Sequence, residues 1–241
     1  LPFPNTLKVE LSPRRIEEEL KAYLNRWFEQ TARTHIYKIN PMAVEALEHV
    51  VSRAFLSGKI AAARETNTPW QIVGDDSEVI QQTSEQFVKD LEKIMHDLRL
   101  DVIVDGPPIS RIKTERRFDA LAQVLTWKAY RLGKKSEYTR SPSNIVFMAQ
   151  HYKYEGYYAL IVRMDEKTCQ TCIEASQFAR MIMTQDYNTF ANAINWTDEG
   201  YHINCRCEPV VTPTVKILKK QDRFRESFFE ESLQWQEVPA T

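Results

Sequence analysis

Apolar residues recur at helical spacing through the first half of the chain. Ser12 and Pro13 supply a capping hydroxyl and a proline suited to the first helical turn. Ile16, Leu20, Leu24, Trp27 and Thr31 then share one face, predicting a helix to about Arg33. Asn40 and Pro41 open a second, whose stripe of Val44, Leu47, Val51, Phe55 and Leu56 continues past Gly58 to Ala63. After turn chemistry between Glu65 and Asp76, Ser77 can cap a third helix with Ile80, Phe87, Leu91, Ile94 and Leu98 facing inward. It stops at Asp105, Gly106, Pro107 and Pro108. A fourth helix opens at Ser110, is apolar at Ile112, Phe118, Leu121, Leu125, Tyr130 and Leu132, and is closed by Gly133.

The pattern changes beyond this helical body. Ser136 to Ser143 is polar, contains Pro142 and reads as a linker. Asn144 to Tyr154 is compatible with a helix, and Tyr157 to Met164 is rich in aromatic and β-branched residues, which predicts a strand. Glu174 to Met183 is helix-compatible, and Asn188 to Gly200 reads as a loop with room for a short helix. Cys207 to Val215 reads as a second strand, placed at an edge by Pro209 and Pro213. The expected fold class is α+β, mainly α. A helical body with an extended N-terminal arm covers 1–142, a small α+β module covers 143–215, and a tail helix covers 216–241. The arm and tail carry Phe3, Phe228, Phe229 and Trp235 with little neighbouring sequence to bury them, so they are expected to dock on a partner chain or fold back on their own domain.

Composition narrows the function classes. Of 241 residues, 43% are hydrophobic and 27% charged, and no apolar run nears the roughly 20 residues needed to cross a bilayer. Leu1, Pro2, Phe3 and Pro4 lack the basic start and apolar segment of a signal peptide; a chain that begins at Leu1 is expected to be trimmed, processed or part of something longer. A net charge of -1 gives no global attraction to nucleic acid. Basic residues do cluster locally, at Arg111, Lys113, Arg116 and Arg117, from Lys128 to Arg140, and from Lys216 to Arg225. Solvated helix faces balanced by neighbouring acids are the plainer reading.

All four cysteines fall in one stretch, Cys169 and Cys172 as C-x2-C and Cys205 and Cys207 as C-x-C, with His202 before the second pair. Thiolates and imidazole in two closely spaced pairs suit a tetrahedral Zn2+ that staples a segment with little core of its own. Disulfides and inert buried thiols are the competing readings. Five candidates compete for four places. Cys169, Cys172, His202 and Cys205 form the preferred set, with Cys207 either replacing His202 or remaining a buried thiol; H-x2-C suits a tight turn.

Other chemistries find less support. None of the six glycines forms a phosphate-binding loop, and the deaminase signature fails because Asn204, not glutamate, follows His202 at the required spacing. A catalytic zinc would need an open position and a nearby carboxylate, for which Asp165, Glu166 and Glu208 are candidates. A nucleophilic pair of Cys207 with His151 is conceivable in principle only. Tyr152, Tyr154, Tyr157 and Tyr158 offer rings for base stacking, but packing the strand against the cysteine loop explains them more simply.

Taken together, Arg163, Asp165, the C-x2-C pair and the run His202, Asn204, Cys205, Arg206 and Cys207 resemble the phage Mu F-like minor head protein family, also called head morphogenesis proteins. The likeness covers about Tyr157 to Val211, and the chain lacks the family's frequent glycine after C-x2-C and proline before the histidine. The resemblance implies a low-copy, non-enzymatic protein of tailed-phage heads, attached near the portal vertex and acting in head assembly or genome delivery. Portal or major capsid protein would be its partner, and packaged DNA a further contact through basic helix faces. It would reside in the virion, and in the host cytoplasm during assembly, with no membrane or small-molecule substrate. A zinc-dependent nuclease or hydrolase is the alternative.

Overall fold

A computed structural model describes residues 12–34, 39, 41–66, 74–105, 107–140, 156–162, 169–179, 182, 184–197, 200–202 and 205–213. Among them the order is α1 (Pro13–Thr34), α2 (Pro41–Thr66), α3 (Gly74–Asp105), α4 (Pro107–Arg140), β1 (Gly156–Ile161), α5 (Gln170–Ala179), α6 (Tyr187–Ala193) and β2 (Glu208–Pro213). The fold is therefore α+β and mainly α. The N-terminal arm, the expected helix at 144–154 and the tail helix lie outside the described residues. No described helix is long and apolar enough to cross a membrane.

Two compact units divide the chain otherwise than at residue 142. The first comprises Leu1–Ser57 and Val73–Tyr130, the second Gly58–Ile72 and Arg131–Thr241. In the first unit, Ile16, Leu20 and Leu24 of α1, Leu47 and Val51 of α2, Leu91 and Leu98 of α3, and Phe118 and Leu125 of α4 form one apolar core. Phe118 anchors it, with ring centroids 6.1 Å from Trp27 and 5.9 Å from Phe28. Several basic residues at the start of α4 are balanced by neighbouring acids. Arg111 pairs with Glu115 and Glu29, and both Arg117 and Lys113 pair with Asp101.

The boundaries of α3 and α4 differ from the sequence expectation. Helix α3 begins at Gly74 rather than Ser77, since Asp75 and Asp76 suit the positive end of a helix dipole. Helix α4 begins at Pro107, because prolines in a first turn lack only N–H groups that would go unpaired anyway. It also runs through Gly133 to Arg140, so the expected linker from Ser136 is helical in its first half. An interior glycine costs about 1 kcal/mol. Lys134, Glu137 and Tyr138 are buried beyond it, held by the packing of the second unit. Ile112, one of the apolar positions of this helix, is 54% exposed. Six residues at about 100° each place it about 120° around the helix from Phe118.

In the second unit β1 and β2 pair antiparallel, with Tyr158 opposite Val211 and Leu160 opposite Pro209. The Tyr158 N–H donates to the Thr184 carbonyl and the Val211 N–H to the Glu65 carboxylate, so this pair faces away from the ladder. Pro209 and Pro213 share the parity of Val211. Neither proline therefore removes a ladder hydrogen bond, which is how a strand containing both survives. Side chains from α2 and α4 occupy the outer edge of β2 in place of a third strand. Lys134 Nζ donates to the Pro209 carbonyl at 3.0 Å and pairs with Glu65 at 2.6 Å and Glu208 at 3.2 Å. The Tyr138 hydroxyl donates to Glu65. Tyr158 of β1 packs on rings, meeting Tyr138, Tyr187 and Phe190 at 5.0, 5.4 and 5.8 Å. Tyr158 is thus a packing residue; Tyr152 and Tyr154 lie outside the described residues.

Candidate metal centre

Local structure brings the two cysteine pairs to one place. The Cys169 carbonyl accepts from the Cys172 and Ile173 N–H groups at 3.1 and 3.3 Å, so Cys169 sits just before α5 and Cys172 in its first turn. The helix begins there instead of at Glu174. On the other side, the Cys205 N–H donates to the His202 carbonyl at 3.0 Å, closing the tight turn that the H-x2-C spacing suggests. Cys207 follows on the approach to β2.

The ligand atoms converge in two overlapping groups, Cys169 with Cys172 and His202, and Cys172 with Cys205 and Cys207; within each they lie within 4.8 Å of one another. His202 Nε2 stands 3.1 Å from both the Cys169 and Cys172 sulfurs, and the Cys172 and Cys205 sulfurs are 3.9 Å apart. A tetrahedral zinc with Zn–S bonds of about 2.3 Å has sulfur–sulfur edges of about 3.8 Å and sulfur–nitrogen edges of about 3.6 Å. The sulfur pair already has that spacing. The imidazole contacts are hydrogen-bond lengths, a few tenths of an ångström shorter than such an edge. All four cysteines are free thiols, three of them buried. The donor set therefore fits a metal ion, and the structure joins all five candidates through Cys172.

Proton distribution within the cluster has clear causes. Burial pushes Cys172 up to about 12, and the neighbouring Cys205 adds to this. Cys205 is drawn down to about 5, first by the hydrogen bond from the Cys207 thiol, then by the N–H groups of Tyr201 and Cys207 and the charge of Arg131, against burial. Cys207, the donor in that pair, is pushed well up by the same bond and by burial. Burial also acts on Cys169, yet the N–H and thiol of Cys172 and the charge of His202 hold it below its ordinary value. Without a metal, two sulfurs thus keep protons that a divalent cation would displace.

Gly200 makes room for the turn. Its φ of 81° lies in the left-handed region, and a Cβ there would stand 2.6 Å from Cys205 Cβ and 2.7 Å from its sulfur. Gly200→Ala is expected to cost about 1–3 kcal/mol from backbone strain, with a further loss as Cys205 is displaced. Denaturant unfolding checks this against Gly74→Ala, where nothing lies within 4 Å and stability should be unchanged or slightly improved.

Several residues around the site were not singled out by sequence. Arg131, grouped there with a basic run, is 3% exposed and donates to the Cys205 carbonyl at 2.6 Å. Trp196 stacks edge-on against Tyr201 at 5.1 Å. Gly200 alone carried a signal, as the only glycine after Gly156. Of the carboxylates considered for a catalytic zinc, Glu208 is bonded to Lys134, while Asp165 and Glu166, like His151, lie outside the described residues. Compared with protein-family models, curated proteins and solved structures, the chain matches none.

Proposed function

We propose that one structural zinc ion staples the second unit and that the chain is a minor head protein of a tailed bacteriophage, acting in head assembly or genome delivery near the portal. The metal reading rests on the meeting of four thiols and one imidazole from stretches about 30 residues apart in the chain. Cys169, Cys172, His202 and Cys205 are the preferred ligands, with Cys207 replacing His202 or remaining a thiol beside them. When bound, the ion supplies a cross-link between the start of α5 and the turn leading to β2. Donor sets rich in thiolate serve folding, whereas sites that activate water keep an open position with a carboxylate at hand. Glu208 is engaged with Lys134 instead, which weighs against a zinc-dependent nuclease or hydrolase.

The virion role is supported by the resemblance of the cysteine and histidine motif to head morphogenesis proteins. Portal or major capsid protein would be the partner. Contact with packaged DNA would fall to exposed residues such as Arg111 and Lys113, since Arg131 and Lys134 are buried. Sequencing the genes that flank this one, and co-expressing the chain with any portal or major capsid protein found there, tests the assignment. A complex with either, lost on chelation, is the expected outcome. A chain that stays apart from both and cleaves phosphodiesters only with zinc would establish the hydrolase instead.

A further inference from the structure

Arginine is an unusual side chain to bury beside a cluster of thiols. Arg131 is 3% exposed, its Nη1 donates to the Cys205 carbonyl at 2.6 Å, and its guanidinium carbon lies 5.7 Å from the centroid of the Trp196 ring. A Cβ at Gly200 would make only ordinary contact with that carbon, at 3.7 Å, but would crowd the Cys205 sulfur at 2.7 Å, so glycine there keeps the Cys205 turn close to the guanidinium. Trp196 is fixed in turn by its N–H bond to the Ala191 carbonyl at 2.8 Å and by its contact with Tyr201. The cation is therefore held in place from several sides, one of them the backbone of a candidate ligand.

We propose that Arg131 is an outer-sphere partner of the metal centre, a fixed positive charge that sets how tightly the cysteine cluster holds its ion. The inference rests on the metal reading above. Three thiolates and an imidazole around a divalent ion leave one net negative charge, and four thiolates leave two. Such a charge in a buried site is costly unless a counter-charge lies near, and a guanidinium is the basic group that gives up water most readily. The bond to the Cys205 carbonyl also orients the loop that carries the sulfur, as outer-shell partners do for metal ligands.

The test separates charge from hydrogen bonding and from folding. Zinc dissociation constants are measured by competition with a chromophoric chelator on the full chain, for wild type, Arg131→Gln, Arg131→Lys and Arg131→Met. Arg131→Gln keeps a donor for the Cys205 carbonyl and loses the charge; Arg131→Lys keeps the charge. Weakening of about 10- to 100-fold is expected for the neutral variants, with Arg131→Lys between them and wild type. The visible spectrum of the Co2+-loaded variants provides a second readout, the thiolate-to-metal band shifting in the same order. Should Arg131→Met fail to fold, the order of Arg131→Lys and Arg131→Gln still decides. Equal zinc affinity in wild type, Arg131→Lys and Arg131→Gln overturns this inference alone. A folded wild type that takes up neither zinc nor cobalt overturns it together with the metal reading.

Discussion

Stripping the metal with a strong chelator is expected to melt the pairing of β1 with β2 while α1 and α3 keep their helical signal. Binding free energy at a structural site is also folding free energy, on the order of 10 kcal/mol in isolated zinc peptides. Here the second unit has an aromatic core of its own around Tyr158, Tyr187 and Phe190, so the loss should be smaller yet still the largest of any single perturbation. Hydrogen exchange locates the effect, with the amides of Gly156–Ile161 and the non-proline amides of β2 losing protection first. The pH dependence has a definite sign. Burial holds a proton on Cys172 up to about 12 in the metal-free cluster, and binding must release it. The metal-bound form carries fewer protons, so affinity rises with pH and extraction becomes easier as pH falls.

Lys134→Met should be the most damaging point change outside the cysteine cluster. The ammonium is 1% exposed and joins Glu65, Glu208 and the Pro209 carbonyl, so its loss leaves two carboxylates facing an apolar stem. Removing one partner of a buried pair costs about 3–5 kcal/mol. Because 23% of the Glu65 side chain stays accessible, the lower part of that range is expected. Chemical denaturation of the metal-loaded protein measures it. Adding Glu65→Gln to Lys134→Met should recover part of the loss, since one uncompensated charge then disappears.

What could be read from the sequence divides along physical lines. Ile16, Leu20 and Leu24, or Phe87, Leu91 and Leu98, keep a strict period, and a periodic apolar face needs no tertiary knowledge to interpret. The cysteine and histidine positions were legible for a similar reason, because metal chemistry restricts both residue type and spacing. The end of α4 was not. Gly133 is a common stop signal, and the helix that runs past it buries Lys134 and Tyr138 against Glu65, a partner from a distant part of the chain. Arg131 was hidden in the same way. In a sequence it is one of several basic residues between Lys128 and Arg140, and only the fold lays it against the Cys205 turn. Charge read along a chain gives no measure of which cations are spent internally.

Metal stoichiometry of the full chain tests the central claim most directly. Elemental analysis and native mass spectrometry of protein purified without chelator or added metal are expected to find one zinc per chain and four cysteines without a disulfide. A protein that is fully folded and metal-free, or one whose mass shows Cys169 joined to Cys205, would contradict it.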